Sequence, residues 1–202
     1  MSAAPEWLRG SITPLVTTFA DGEVDCETYA ALVERHIAAG GHGVLVNGTS
    51  AEPSTLTVAE RNRLVDVAVA TAAGRCAVAA ATVSQSFAET EALTEHAARA
   101  AADALLIVTP YYVRPPQRGV VAYYERLARI SDLPLMIYHI PGRAAFTLEL
   151  ATLLEISERV PQLVGMKHAS AELSLISDCR AQLADFRVFV GLEELSLPML
   201  AL

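Results

Sequence analysis

Lys167 is the one lysine among fifteen basic residues in a chain of 202, the other fourteen being arginine. A GC-rich coding sequence supplies arginine wherever a surface needs only positive charge, so a sole lysine marks a position where guanidinium does not substitute. An amine can shed its proton when desolvated and condense with a carbonyl, whereas a guanidinium stays protonated and is a poor nucleophile. Other residues able to serve that chemistry are spread along the chain: Thr49 and Ser50, Tyr111 and Tyr112, Tyr138, and Arg143. A phenol such as Tyr138 can shuttle protons as a carbinolamine forms and collapses, and Thr49 could link it to further hydroxyls. Arg143 offers a planar fork for the carboxylate of an α-keto acid, and the turn from Gly48 to Ser50 offers amide and hydroxyl donors to the same group. Singly, each has an ordinary reading: Thr49-Ser50 as a turn, the tyrosines as core or interface aromatics, Arg143 as a solvated charge.

The elements that would position these residues follow from periodicity. Short apolar, β-branched runs recur about every thirty residues, each followed by a helical pattern, as in parallel βα units. The runs cover residues 11–19, 43–47, 77–82, 104–109, 135–140, 163–168 and 187–191. Helical spacing covers residues 25–39, 57–73, 86–101, 117–130, 147–159 and 171–183, with a further helix starting between residues 193 and 202. Thr57 with Glu60 and Ser86 with Glu89 have capping-box spacing at two helix starts. No GxGxxG follows the first strand and no GxxxxGK[ST] occurs, so neither phosphate cradle of the open α/β sheets is present. The expected fold is therefore α/β, a (β/α)8 TIM barrel, with residues 1–202 as a single domain that is incomplete because its eighth strand is missing. In a barrel the functional groups sit where strands end, and the candidates above do fall there. Strand alternation sets Met166 and His168 opposite to Lys167, and Ile137 and His139 opposite to Tyr138, so that Lys167 and Tyr138 both face inward.

Composition narrows the partners. A formal charge of −8 with no basic run argues against nucleic acid. Residues 1–10 lack a leader's apolar core, and the most apolar stretch, residues 97–108, is interrupted by Arg99 and Asp103, so a soluble cytoplasmic protein is expected. Cys26, Cys76 and Cys179 lack the number and spacing of a disulfide framework or zinc site and read as reduced thiols. His36, His42 and His96 lack ligand spacing, and no His/Asp/Glu cluster suggests a metal-dependent aldolase.

At its candidate residues the chain resembles the dihydrodipicolinate synthase and N-acetylneuraminate lyase family of class I aldolases. Gly48-Thr49-Ser50-Ala51-Glu52 looks like the family's GTTGE loop, Tyr138-His139-Ile140-Pro141-Gly142-Arg143 like its YNxPxR, and Gly165-Met166-Lys167-His168 like its GIKE or GIKD; Thr109-Pro110-Tyr111-Tyr112 is a fourth match in order. The resemblance implies Lys167 as the Schiff-base lysine, Tyr138 as the acid/base phenol and Thr49 as its relay partner. It implies Tyr112 as a relay tyrosine donated across a subunit interface in a homodimer or homotetramer. Thr49, Ser50 and Arg143 would bind substrate carboxylates, and no metal or dissociable organic cofactor is implied. The substrates would be pyruvate, or a 2-keto acid releasing it, and an aldehyde. The synthase is the nearest member, with the sialic-acid lyases and the sugar-acid aldolases or dehydratases as alternatives. Ala51, His139 and His168 depart from the motifs, where the family has Gly, Asn and an acidic residue. The chain also stops before the family's eighth strand and C-terminal helical region, and a barrel left unclosed exposes strand edges. From another class, therefore, comes an inert truncated barrel that acts only in assembly.

Overall fold

The computed structural model describes residues 4–202; residues 1–3, the start of the stretch read for a leader, lie outside them. The chain divides into two compact units, Glu6–Leu105 and Leu106–Leu202, the latter together with residues 4 and 5.

In the first unit, strands β1 (Ile12–Pro14), β4 (Gly43–Val46) and β5 (Ala77–Ala81) pair in parallel in that order, Ile12 opposite Gly43 and Gly43 opposite Ala77. Every residue of β4 is buried, as befits a parallel strand covered on both faces. Helices α1 (Cys26–Ala38), α2 (Val58–Ala72) and α3 (Phe87–Arg99) supply the cover, α2 packing against both of the others. Their apolar faces bury Val33, Leu64, Val65, Ala68, Leu93 and Ala97. The expected strand 11–19 is shorter than its sequence pattern. Beyond Leu15 the chain leaves the sheet because Thr17 and Thr18 donate their hydroxyls to the Ala51 and Asp25 carbonyls, and a short antiparallel hairpin follows, β2 (Phe19–Ala20) with β3 (Glu23–Val24). Asp25 caps α1, accepting from the Glu27 and Thr28 amides at 3.0 Å each. At α2 the Thr57–Glu60 box is complete. The box expected at α3 is only half made: Ser86 accepts from the Glu89 amide, but the Glu89 carboxylate takes the Ser84 hydroxyl at 2.6 Å instead of the Ser86 amide. Ser84, two residues upstream, outcompetes the backbone donor.

The division between the units falls inside β6 (Ala104–Val108). In the second unit β7 (Leu135–His139), β8 (Leu163–His168) and β9 (Arg187–Val190) pair in parallel in that order. Helices α4 (Gln117–Leu127), α6 (Leu150–Arg159) and α7 (Ser174–Gln182) pack side by side, α6 against the other two. The Tyr124 phenol, buried on α4, donates to the Ile107 carbonyl at 2.8 Å. The helix expected from residue 147 starts at Leu150. Pro141, at a position where its missing amide donor is harmless, opens a separate one-turn helix α5 (Pro141–Ala144) directly after β7. The helix expected from residue 171 starts at Ser174, whose amide is taken by the Glu172 carboxylate at 3.0 Å. A 3-10 turn (Glu193–Leu195) and a short helix α8 (Ser196–Leu200) follow β9. Among the described residues no helix is long and apolar enough to cross a membrane. The three cysteines are free thiols.

Candidate active site

Between Leu135 and Met136 the β7–β8 ladder slips by one residue, Leu135 facing Leu163 but Met136 facing Gly165, so that Val164 is the extra residue. Without that slip Tyr138 would stand opposite Met166. With it, Tyr138 is registered to Lys167 and His139 to His168. The Lys167 Nζ lies 4.6 Å from the centroid of the Tyr138 ring. Tyr138 is buried and Lys167 half-buried between fully buried neighbours, Met166 and His168. Burial alone pushes the lysine amine below its ordinary pKa, since the charged form loses solvation with no carboxylate to replace it. The amine is thus disposed towards its nucleophilic, neutral form. A Cβ at Gly165, two residues before Lys167, would sit 2.5 Å from the Arg187 carbonyl oxygen, so glycine there is what lets β9 lie so close to β8.

The other face of this strand pair carries a contact that sequence reading missed. The His139 and His168 rings are buried, and their Nδ1 atoms are 3.1 Å apart. His139 Nε2 accepts from the Leu148 amide at 3.2 Å, and His168 Nε2 lies 2.9 Å from the Glu172 carbonyl oxygen. Burial, then the neighbouring His168, brings the His139 pKa down to about 4; burial also lowers that of His168 against the pull of the Glu172 and Ser170 carbonyls. The signal was present in the alternation of the two strands, which sets both histidines opposite the Tyr138–Lys167 face.

The remaining expected residues are placed as follows. Arg143 is exposed on α5, five residues past Tyr138. Tyr112 has a φ of 71° and is 84% exposed, so its ring is not part of its own unit's core. Thr49 and Ser50 lie in the first unit on the 3-10 turn Thr49–Ala51 after β4, Thr49 partly buried and Ser50 exposed. That turn is held by the fully buried Ala51, whose carbonyl takes the Thr17 hydroxyl at 2.7 Å, and it ends at Glu52 in the left-handed region with a φ of 53°. Just before it, the Asn47 amide donates to the Arg61 carbonyl at 3.0 Å. The structure therefore brings Lys167 and Tyr138 together. Of the histidines without ligand spacing, His96 meets Asp66 at 2.8 Å and His42 accepts from the Ser11 amide.

An amine-bearing strand beside a phenol-bearing one, in a frame where helices alternate with parallel strands, gives the chain the architecture of the α/β class. Residues 7–202 match the Dihydrodipicolinate synthetase family, and the chain belongs to it. It is 42% identical over 196 residues to the 4-hydroxy-tetrahydrodipicolinate synthase of Thermus thermophilus, covering 96% of this chain and 66% of that protein, and 37% identical to that of Aquifex aeolicus over 96% and 66%. The crystal structure of dihydrodipicolinate synthase from Aquifex aeolicus superposes with a TM-score of 0.93 at 36% identity, covering 96% of this chain and 67% of that one. The chloride-inhibited enzyme from Acinetobacter baumannii complexed with pyruvate gives 0.90 at 32%, covering 95% and 66%. The fold is accordingly α/β, a (β/α)8 TIM barrel with about seven of its βα units present, and the chain spans about two thirds of the length of its relatives.

Proposed function

We propose that the chain acts in 4-hydroxy-tetrahydrodipicolinate synthesis, a class I aldolase reaction of lysine biosynthesis, with Lys167 forming an imine with pyruvate. The observation that carries the reading is the partly buried Lys167 amine 4.6 Å from the Tyr138 ring at matched positions of neighbouring strands. Nζ attacks the keto carbon, a C–N bond forms, and the carbinolamine loses its oxygen as water to leave a protonated imine. Loss of a proton from the adjacent methyl group gives an enamine, whose carbon bonds to an aldehyde carbon as the C=O π bond opens and its oxygen takes a proton; an amine carried by the aldehyde substrate then displaces the lysine nitrogen from the imine carbon, closing the ring and restoring the Lys167 amine. The imine is the electron sink, so neither metal nor organic cofactor is called for.

Tyr138 carries protons to and from the carbinolamine oxygen, with Thr49 as its relay and Tyr112, from a second copy of the chain, completing the relay. Thr49 and Ser50 hold the pyruvate carboxylate, and Arg143, exposed on α5, takes a carboxylate of the second substrate or product. Homologues named for this synthase and the pyruvate-bound relative support the reading. The working form is a cytoplasmic homodimer or homotetramer built on one barrel domain per chain. The test is mass spectrometry after incubation with pyruvate and borohydride, with Lys167→Ala as control. A reduced pyruvate adduct mapped to Lys167 is expected; its absence from folded protein refutes the role of Lys167.

A further inference from the structure

Two backbone groups fix the protons of the buried histidine pair. The Leu148 amide can only donate, so His139 Nε2 is the acceptor and a neutral His139 carries its proton on Nδ1. The Glu172 carbonyl can only accept, so His168 Nε2 is the donor and a neutral His168 has a bare Nδ1. The 3.1 Å contact between the two Nδ1 atoms is then a donor meeting an acceptor. The result is one directed chain: Leu148 N–H to His139, His139 N–H to His168, His168 N–H to the Glu172 carbonyl. Every ring nitrogen is satisfied, and there is no place for a further proton. A proton added to His139 Nε2 would face the Leu148 N–H, and one added to His168 Nδ1 would face the His139 N–H.

The chain joins the segment that starts α6, the last residues of β7 and β8, and the loop after β8. Tyr138 and Lys167 each precede one of its histidines, and Lys167 has no ion pair among the causes that set its pKa. We infer that His139 and His168 are a linked pair of positioning residues, whose hydrogen-bond chain holds the ends of β7 and β8 so that Lys167 and Tyr138 stay in reach of one reacting carbon, and which does so only while both rings are neutral. The groups that act electrically on the pair are the two rings on each other and the Glu172 carboxylate on the loop beyond β8. Burial keeps both rings uncharged near neutral pH. The inference rests on Lys167 as the imine lysine.

The test uses the full chain and two readouts. Ring 15N and 13C chemical shifts of the wild type should show His139 protonated on Nδ1 and His168 on Nε2, both neutral at pH about 7, with His139 still neutral at about 5. The rate of borohydride-trapped pyruvate labelling of Lys167 should fall about tenfold in His139→Ala and in His168→Ala, each of which breaks the chain. The double variant His139→Asn/His168→Glu installs the residues of the family motifs, an amide donor facing a carboxylate. It should regain labelling to within about threefold of the wild type and lose the wild type's fall in labelling rate as the rings protonate. The opposite tautomers, or a charged ring at neutral pH, would overturn the inference, as would folded single variants that label at the wild-type rate with the wild-type pH profile. If the single variants do not fold, the wild-type shifts and the double variant still decide it. Failure of the wild type itself to label would count against Lys167 and not against the pair, which the chemical shifts judge independently.

Discussion

Mild acid should destabilise this protein through His139 before its hydrogen-bonded carboxylates Asp25, Glu34, Glu60 and Glu172 lose their contributions. Folding lowers the His139 pKa from its ordinary 6.5 to about 4, because the ring is buried and faces a second imidazole. The folded state therefore binds fewer protons than the unfolded chain between those values, so stability is fully present above the unfolded pKa and is lost as pH falls towards the folded one. With these two values, linkage gives a loss of about 2 kcal/mol between pH about 7 and about 5, growing to about 3 kcal/mol by pH about 4. His168, lowered by the same burial, adds in the same direction. The carboxylates of Asp25, Glu34, Glu60 and Glu172 are held below their ordinary values by hydrogen bonds, so their contributions are lost mainly below pH about 4.5, outside the window. Urea denaturation at the two ends of the window, on wild type and on His139→Gln, isolates the histidine, since glutamine can accept from the Leu148 amide and donate to His168 without titrating. The wild type should lose about 2 kcal/mol more than the variant. Equal losses in both proteins, or a wild type whose stability is flat over the window, would refute the assignment of the acid sensitivity to this buried ring.

Two further substitutions probe the frame that carries the site. Gly165→Ala puts a methyl group 2.5 Å from the Arg187 carbonyl oxygen and 3.1 Å from the Arg187 Cβ; the nearest atoms are backbone, so β9 must move. A loss of about 1–3 kcal/mol is expected by thermal or urea unfolding, together with slower borohydride labelling of Lys167, and a variant unchanged in both would show that the close β8–β9 approach is not needed. Thr57→Ala removes the hydroxyl half of the capping box on α2. It should lower stability by about 1 kcal/mol with an unchanged urea slope and unchanged labelling of Lys167, because α2 belongs to the first unit and carries no candidate residue.

Much of the frame can be read in the sequence because burial on both faces writes parallel strands as continuous apolar runs, such as Val44-Leu45-Val46 and Leu105-Leu106-Ile107. Lys167 is legible for a chemical reason: in an arginine-rich chain a lone lysine is a choice of functional group. What stays hidden is set by local competition between donors and acceptors. Ser84 taking the Glu89 carboxylate, the threonines that pull residues 17–18 off the sheet, and Pro141 opening its own helical turn are each decided by a neighbour no periodicity reports.

The slip at Leu135–Met136 has the largest effect of this kind. A ladder continued from the Leu135–Leu163 pair would set Tyr138 against Met166 and His139 against Lys167, placing phenol and amine out of step and an imidazole beside the amine. Absorbing Val164 as an extra residue restores both pairs at once. The consequence reaches back to the sequence. His139 and His168 look like two unrelated departures from the family motifs, twenty-nine positions apart, but the slipped register makes them a single buried contact. Replacing either one alone by a side chain without the matching donor or acceptor, such as alanine, would strand a buried ring nitrogen of the other without a partner, at about 1–3 kcal/mol for an unsatisfied polar group. A neutral imidazole pair with its proton order set by Leu148 and Glu172 is one solution to joining these strand ends. An amide facing a carboxylate, as in the family motifs, is another. The two departures therefore meet in one contact, on the face of β7 and β8 opposite Lys167, which leaves the amine and the phenol in register.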